Sequence, residues 1–432
     1  MQRFALWCTV SLVTVGTLAM AADWPTFRGT DRTGVSKETG LLQEWPADGP
    51  PVSWKAEGTG RGYTSPAVAG GRMFMLGDGI ADVGDTDEYL MCCSLKDGKR
   101  LWATKTGAPW QEGSPTWQSS RSTPTVDGDR VYALTATGEL YCCHTETGQE
   151  IWHKSLKNDF GGVKADIWGY SESPLVDGDR LICTPGGEKT TILALDKKTG
   201  ETVWTTVSAG DRGAGHASIV ISEIGGVRIY VQSTGSGPLG IRASDGKLLW
   251  AYPVDKTTAI IPTPIVKDDL VFFVAGYKRG GALLKQNSDG AGGATVEVVY
   301  PLKPELANKH GGVVLVGDYL YGDSDDAGIM YCAELKTGEI KWKKRGSGSQ
   351  SIALAAADHR LYQHFADGRM VLAKAEPTEY VEVGSFVVPG SGERPSWAHP
   401  VISDGKLYLR ENNIVLCFDI KQKAAGRESG GN

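Results

Sequence analysis

The chain has no cluster of lysine and arginine: 45 basic residues are spread among 51 acidic ones, for a formal charge of −6. That excludes the basic footprint by which nucleic acid or an anionic bilayer is gripped. It has no Cys-x-x-Cys-His run, and hence no attachment point for a c-type haem. Histidine is sparse, at 7, and lacks metal-ligand spacing, so zinc has no support. Gly186-Gly187-Glu188 and Gly290-Ala291-Gly292-Gly293 lie between strand-like runs with no helix start behind them, so neither cradles phosphate. The apolar run Phe4 to Leu18 is too short for a comfortable membrane span. Arg3 precedes it and Ala19-Met20-Ala21 follows, so residues 1–21 are expected to be a cleaved export signal, leaving no span in the mature chain. Ala22-Asp23-Trp24 comes next, with no cysteine to carry a lipid. Loss of Cys8 leaves seven of eight cysteines, an odd number that cannot all pair internally.

A recurring tryptophan organises what is present. Thr147-Gly148-Gln149-Glu150-Ile151-Trp152, Thr199-Gly200 to Trp204, Asp245-Gly246 to Trp250 and Thr337-Gly338 to Trp342 repeat one phrase, with an earlier copy ending at Trp102. Tyr300 lies near the midpoint of the longer gap between Trp250 and Trp342, and Phe386 takes the slot after it. A period of roughly 46 residues is that of a propeller blade or solenoid unit. Within one period, Thr125-Val126, Val131 to Leu134, Leu140 to Cys143 and Ile151-Trp152 are separated by Asp-Gly and Thr-Gly turns. Four short runs with such punctuation predict four antiparallel strands joined by tight hairpins. Seven copies are complete. Pro400 to Ile420 has inner strands without a tryptophan, and Val52-Ser53-Trp54-Lys55 has the tryptophan without strands before it. Joined, they make an eighth. The expectation is an all-β, eight-bladed β-propeller over 52–421, closed by an N-terminal strand, with a lead-in segment at 22–51 and a disordered tail at 422–432. Trp54, Trp102, Trp152, Trp204, Trp250 and Trp342 are expected to dock between blades.

The phrase Ala-x-Asp-x-x-Thr-Gly-x-x-x-Trp, nearly complete from Ala194 to Trp204, resembles the docking repeat of the pyrroloquinoline-quinone (PQQ)-like repeat propellers, within the quinoprotein alcohol dehydrogenase-like superfamily. Asp23-Trp24-Pro25-Thr26-Phe27-Arg28-Gly29 resembles the opening of exported bacterial members. The resemblance implies an eight-bladed fold and leaves two functions open. One is a non-catalytic, periplasmic or secreted scaffold for a protein, peptide or glycan partner in the cell envelope, similar in plan to assembly factors of the BamB type. The other is a PQQ- and Ca²⁺-dependent dehydrogenase of alcohols or sugars.

Ligands of propellers meet the channel mouth, so the residues preceding each Ser/Thr-Pro step matter most. Tyr63, Trp117, Arg121, Trp168, Glu172, His216, His310, Trp397 and His399 are the candidate rim residues, a mixture of aromatic, cationic and acidic groups suited to a ligand. No catalytic set and no metal site is assigned. A quinone would need aromatic stacking, an arginine, and oxygen ligands for calcium, with Glu172 or Asp166 as oxygen donors. The run Asp323-Ser324-Asp325-Asp326 reads as a solvated turn, with a calcium loop as the weaker alternative. Cys92-Cys93 and Cys142-Cys143 occupy third-strand columns where small side chains recur, which favours packing over redox work.

Overall fold

The computed structural model describes residues 23–255, 258 and 260–423; the expected export signal and residues 424–432 of the expected tail lie outside them. Eight sheets of four antiparallel strands each succeed one another along the chain. Blades 1 to 7 cover 67–107, 125–155, 175–206, 220–251, 265–303, 314–345 and 352–387. Blade 8 is composite: Val52–Glu57 pairs antiparallel with Ile414–Asp419, at the far end of the chain. That pairing removes the two edges an open array would leave.

Sequence chemistry explains the elements. In blade 2, Thr125–Asp127 turns into Arg130–Leu134 through Gly128 at φ +57°, a conformation that glycine adopts without Cβ strain. Third strands such as Ile192–Asp196 are buried on both faces, because each sheet is covered by a neighbour on either side. Tyr132, Leu140, Cys142 and Trp152 of blade 2 thus pack on Leu181, Cys183, Leu193 and Leu195 of blade 3. Alternation sends adjacent cysteines opposite ways. Cys92 joins the core shared with blade 2, and Cys93 the core shared with blade 8. All seven cysteines of the described residues are free and buried, and burial raises the Cys92 thiol to about 12 and that of Cys142 to about 11.

The docking tryptophans bridge blades. Trp54, Trp102, Trp152, Trp204 and Trp342 each donate Nε1–H to a carbonyl of the following blade, respectively Leu95, Thr145, Lys197, Ala243 and Glu376, at 2.8 to 3.2 Å. Tyr300 does the same through its hydroxyl to Leu335 O at 3.0 Å. Trp250 is buried, and its Nε1 has no acceptor among the described residues; the outer hairpin of blade 5, Gly280–Ser288 and Ala294–Lys303, is longer than its counterparts. The indoles of Trp54, Trp102, Trp152 and Trp204 lie against the turn glycines Gly98, Gly148, Gly200 and Gly246 of the next blade. A Cβ on Gly148 would sit 2.5 Å from the Trp102 ring, and one on Gly200 2.9 Å from Trp152.

The lead-in is built into the ring. Trp24 exchanges both backbone bonds with Val68 of blade 1, at 2.8 Å each, and Pro25 O accepts from Val126 N of blade 2. Arg32 donates to the carbonyls of Ser173 and Pro174 beside blade 3. Val35 bridges Ala356 of blade 7, and Glu38 accepts from the amides of Asp404 and Gly405 in blade 8. Blades 3 and 7 stand opposite one another in a ring of eight. The segment therefore crosses the central hole from the side of the first hairpin turns, and stops it.

Candidate functional site

With one end stopped, the channel becomes a blind cavity of about 300 Å³. Phe27 and Arg28 of the lead-in form part of its lining. Of the nine rim candidates, the structure brings eight together on this wall: Tyr63, Trp117, Arg121, Trp168, His216, His310, Trp397 and His399. They arrive from inter-blade segments, where each chain leaves an outer strand and enters the next inner one. Trp397 is the hub. Its ring lies 4.8 Å from Tyr63 and stacks on His310 at 4.6 Å and 27°. Arg121 lies 4.8 Å over Trp110 and 5.8 Å over Tyr63, with Nε donating to Trp168 O at 3.1 Å and Nη2 to Trp117 O. Trp117 is 40% exposed and marks the mouth.

Glu172 is the exception. Instead of reaching the channel it is buried in blade 3, accepting from Thr184 N at 2.7 Å, Thr184 Oγ1 at 3.0 Å and Gln232 Nε2 at 3.2 Å. Its neighbour Ser171 faces the cavity, and successive residues of an extended segment point to opposite sides. Sequence reasoning also missed Phe27 and Arg28, although the unusual opening phrase was in view, and Tyr277, Lys309 and Asp326 on the wall; Ser171 stands in the column read from the Ser/Thr-Pro step, though not among the nine candidates.

Electrostatics make the wall cationic and leave His216 and His399 neutral. Burial lowers Arg28 and Arg121 to about 10, which leaves both charged at neutral pH. Burial, with Arg28 adding, lowers His399 to about 3. His399 Nδ1 has no hydrogen-bond partner among the described residues, and the ring meets Phe27 edge-on at 4.9 Å. The acidic run is partly internal, contrary to a solvated turn. Asp323 is buried with Oδ1 on Asn308 Nδ2 at 2.5 Å, and burial raises its carboxyl. Asp326 reaches the cavity, bound to His310 Nδ1 at 3.1 Å and to Lys309.

A calcium-bound quinone does not fit this donor set. Asp326 is the wall's carboxylate and is already paired with Lys309 and hydrogen-bonded to His310, Asp166 is engaged by His216, and Glu172 points elsewhere. Among the described residues no three acidic, histidine or cysteine side chains converge as metal ligands.

Comparison with known proteins supplies the relatives. A family profile described as outer membrane protein assembly factor BamB matches residues 86–344, more than half of the chain. The outer membrane protein assembly factor BamB of Xanthomonas campestris is 24% identical over 229 residues, 52% of this chain and 48% of that protein. The chain thus spans about half the length of that relative. The crystal structure of BamB from Moraxella catarrhalis superposes with a TM-score of 0.54 at 17% identity, over 90% of this chain and 97% of that one. Quinohemoprotein alcohol dehydrogenase from Comamonas testosteroni superposes at 0.66 and 15% identity, over 95% and 82%. Identities this low speak to the fold alone.

Proposed function

The chain belongs to the family described as outer membrane protein assembly factor BamB, and from that premise we propose that it is a binding scaffold of the cell envelope that captures a polypeptide at its cavity mouth. An assembly factor works by holding another chain, and this mouth has what an extended polypeptide needs. Trp117, Trp168, Trp397 and Tyr277 supply apolar faces at little entropy cost, while Arg121 and Lys309 supply charge. The single observation that carries the reading is the convergence of these side chains from separate blades on one blind cavity. The stopped hole favours insertion of a side chain over threading of a strand. Among the described residues no helix is long and apolar enough to cross a membrane.

The test is a fluorescence titration with peptides from the transmembrane strands of outer-membrane barrel proteins. Binding should quench the rim tryptophans, and Trp397→Ala should weaken it by about 2 kcal/mol, roughly thirty-fold. Arg121→Ala should weaken it less. No saturable quenching by any such peptide, or indifference to both changes, would refute the reading.

A further inference from the structure

The wall between blades 3 and 4 holds a hydrogen-bonded chain that docking does not require. Ser171 Oγ lies 2.5 Å from His216 Nδ1, and His216 Nε2 lies 2.8 Å from Asp166 Oδ2. The imidazole and carboxylate side chains are 5% and 6% exposed, whereas Ser171 and His216 both border the cavity. An ionised carboxylate only accepts hydrogen bonds, so Asp166 fixes the Nε2–H tautomer. The Nδ1 lone pair then faces the Ser171 hydroxyl, whose proton it can take.

The charge states suit that arrangement. Burial, with Lys164 adding, lowers His216 to about 4, so the ring is neutral at physiological pH. Burial opposes ionisation of Asp166, but the hydrogen bond that His216 donates and the charge of Lys164 outweigh it and keep the carboxylate charged. Arg121, whose charge reaches both His216 and Asp166, uses Nε and Nη2 on the carbonyls of Trp168 and Trp117. Its Nη1 has no protein acceptor among the described residues and is free to meet a developing oxyanion.

We propose that Ser171, His216 and Asp166 form an acyl-transfer site that hydrolyses small carboxylic esters, with Ser171 as nucleophile, His216 as general base and acid, Asp166 as the positioning carboxylate and Arg121 as oxyanion donor. The 300 Å³ volume admits only a small molecule, and the Trp168 and Trp397 faces favour a planar acyl group. Ser171 Oγ bonds to the carbonyl carbon as its proton passes to Nδ1, and the carbonyl electron pair moves onto oxygen beside Arg121. Collapse breaks the bond to the alcohol, which leaves with the proton from Nδ1. Water then adds with Nδ1 again as base, the bond to Ser171 Oγ breaks, and the proton returns to Ser171 as the acid departs. An ester is chosen over an amide because an alkoxide is a far better leaving group than an amide anion and so demands less of the general acid. The proposal goes beyond partner capture and departs from the expectation of a non-catalytic propeller.

The experiment treats the purified protein with p-nitrophenyl benzoate and, separately, with a fluorophosphonate probe. Steady release of nitrophenolate is expected, with the phosphonate found by mass spectrometry on the peptide containing Ser171. Ser171→Ala should abolish both, and Asp166→Asn should lower kcat/KM by roughly 10²- to 10⁴-fold. The groups facing His216 are Ser171, Asp166, Lys164 and Arg121, so the rate should fall in acid as the ring takes a proton. Asp166→Asn should move that fall to lower pH, because the anion that favours the imidazolium is gone. No turnover and no label in the wild-type protein would overturn the proposal, as would a rate and label that survive Ser171→Ala. Peptide capture is read separately by tryptophan quenching, so either reading can fail alone.

Discussion

At the scale of single residues, burial governs behaviour more than charge pairing does. Glu172 shows this most directly, since burial raises its carboxyl to about 7 against the pull of the Thr184 bonds and Arg32. A folded-state value above the unfolded 4.5 means that the native protein binds more protons between the two. The group's contribution to stability is complete below pH 4.5 and is lost as pH climbs through 7. Glu172→Gln removes that loss. Denaturant melts at pH 4.5 and pH 8 should therefore show the variant gaining on the wild-type protein by on the order of 2 kcal/mol as pH rises. A difference that does not change with pH would show that Glu172 is fully ionised or more hydrated than the structure has it. The rim column was legible because Tyr63, Arg121, Ser171, His310 and Trp397 share one register relative to the Ser/Thr-Pro step. Glu172 was misread because it sits one residue off that column, and a shift of one position reverses its direction.

At the scale of elements, the tryptophan and the turn glycine are two halves of one joint, read across a blade boundary. Gly128 and Gly148 both have positive φ, at +57° and +72°. A Cβ on Gly128 meets nothing within 4 Å, while one on Gly148 meets Trp102 at 2.5 Å. Gly128→Ala should therefore cost about 1 kcal/mol of backbone strain. Gly148→Ala should cost about 2 kcal/mol more, because the indole of the preceding blade must shift. Equal melting temperatures for the two variants would dissociate the glycine from the joint. The same logic explains Phe386, which has no Thr-Gly turn to meet in composite blade 8. Gly49 of the lead-in takes the place, at φ +80°, with a would-be Cβ 2.6 Å from the Phe386 ring. The strand runs and turns were legible in the sequence because each is encoded locally. This substitution was not, because the glycine lies more than 300 residues from the ring it serves.

At the scale of the whole molecule, closure of the ring and stopping of its hole depend on the same N-terminal stretch. Val52–Glu57 completes blade 8, and the residues before it cross the channel and turn a pore into a cavity with one mouth. The repeat disclosed the blade count and the closing strand. It could not disclose the plug, because residues 23–51 lie outside the period and their partners span blades 1, 2, 3, 7 and 8. Nor could it show the grouping of Asp166, Ser171 and His216, which depends on how the segment before blade 3 folds against blade 4. The account places every recognition event at one end of the ring. Photo-crosslinking measures that directly, with Trp117→p-benzoylphenylalanine at the mouth and Lys198→p-benzoylphenylalanine on an outer hairpin at the opposite end. A bound barrel-strand peptide should be captured from position 117 and not from 198; capture from 198 alone, or equally from both, would contradict a single working face.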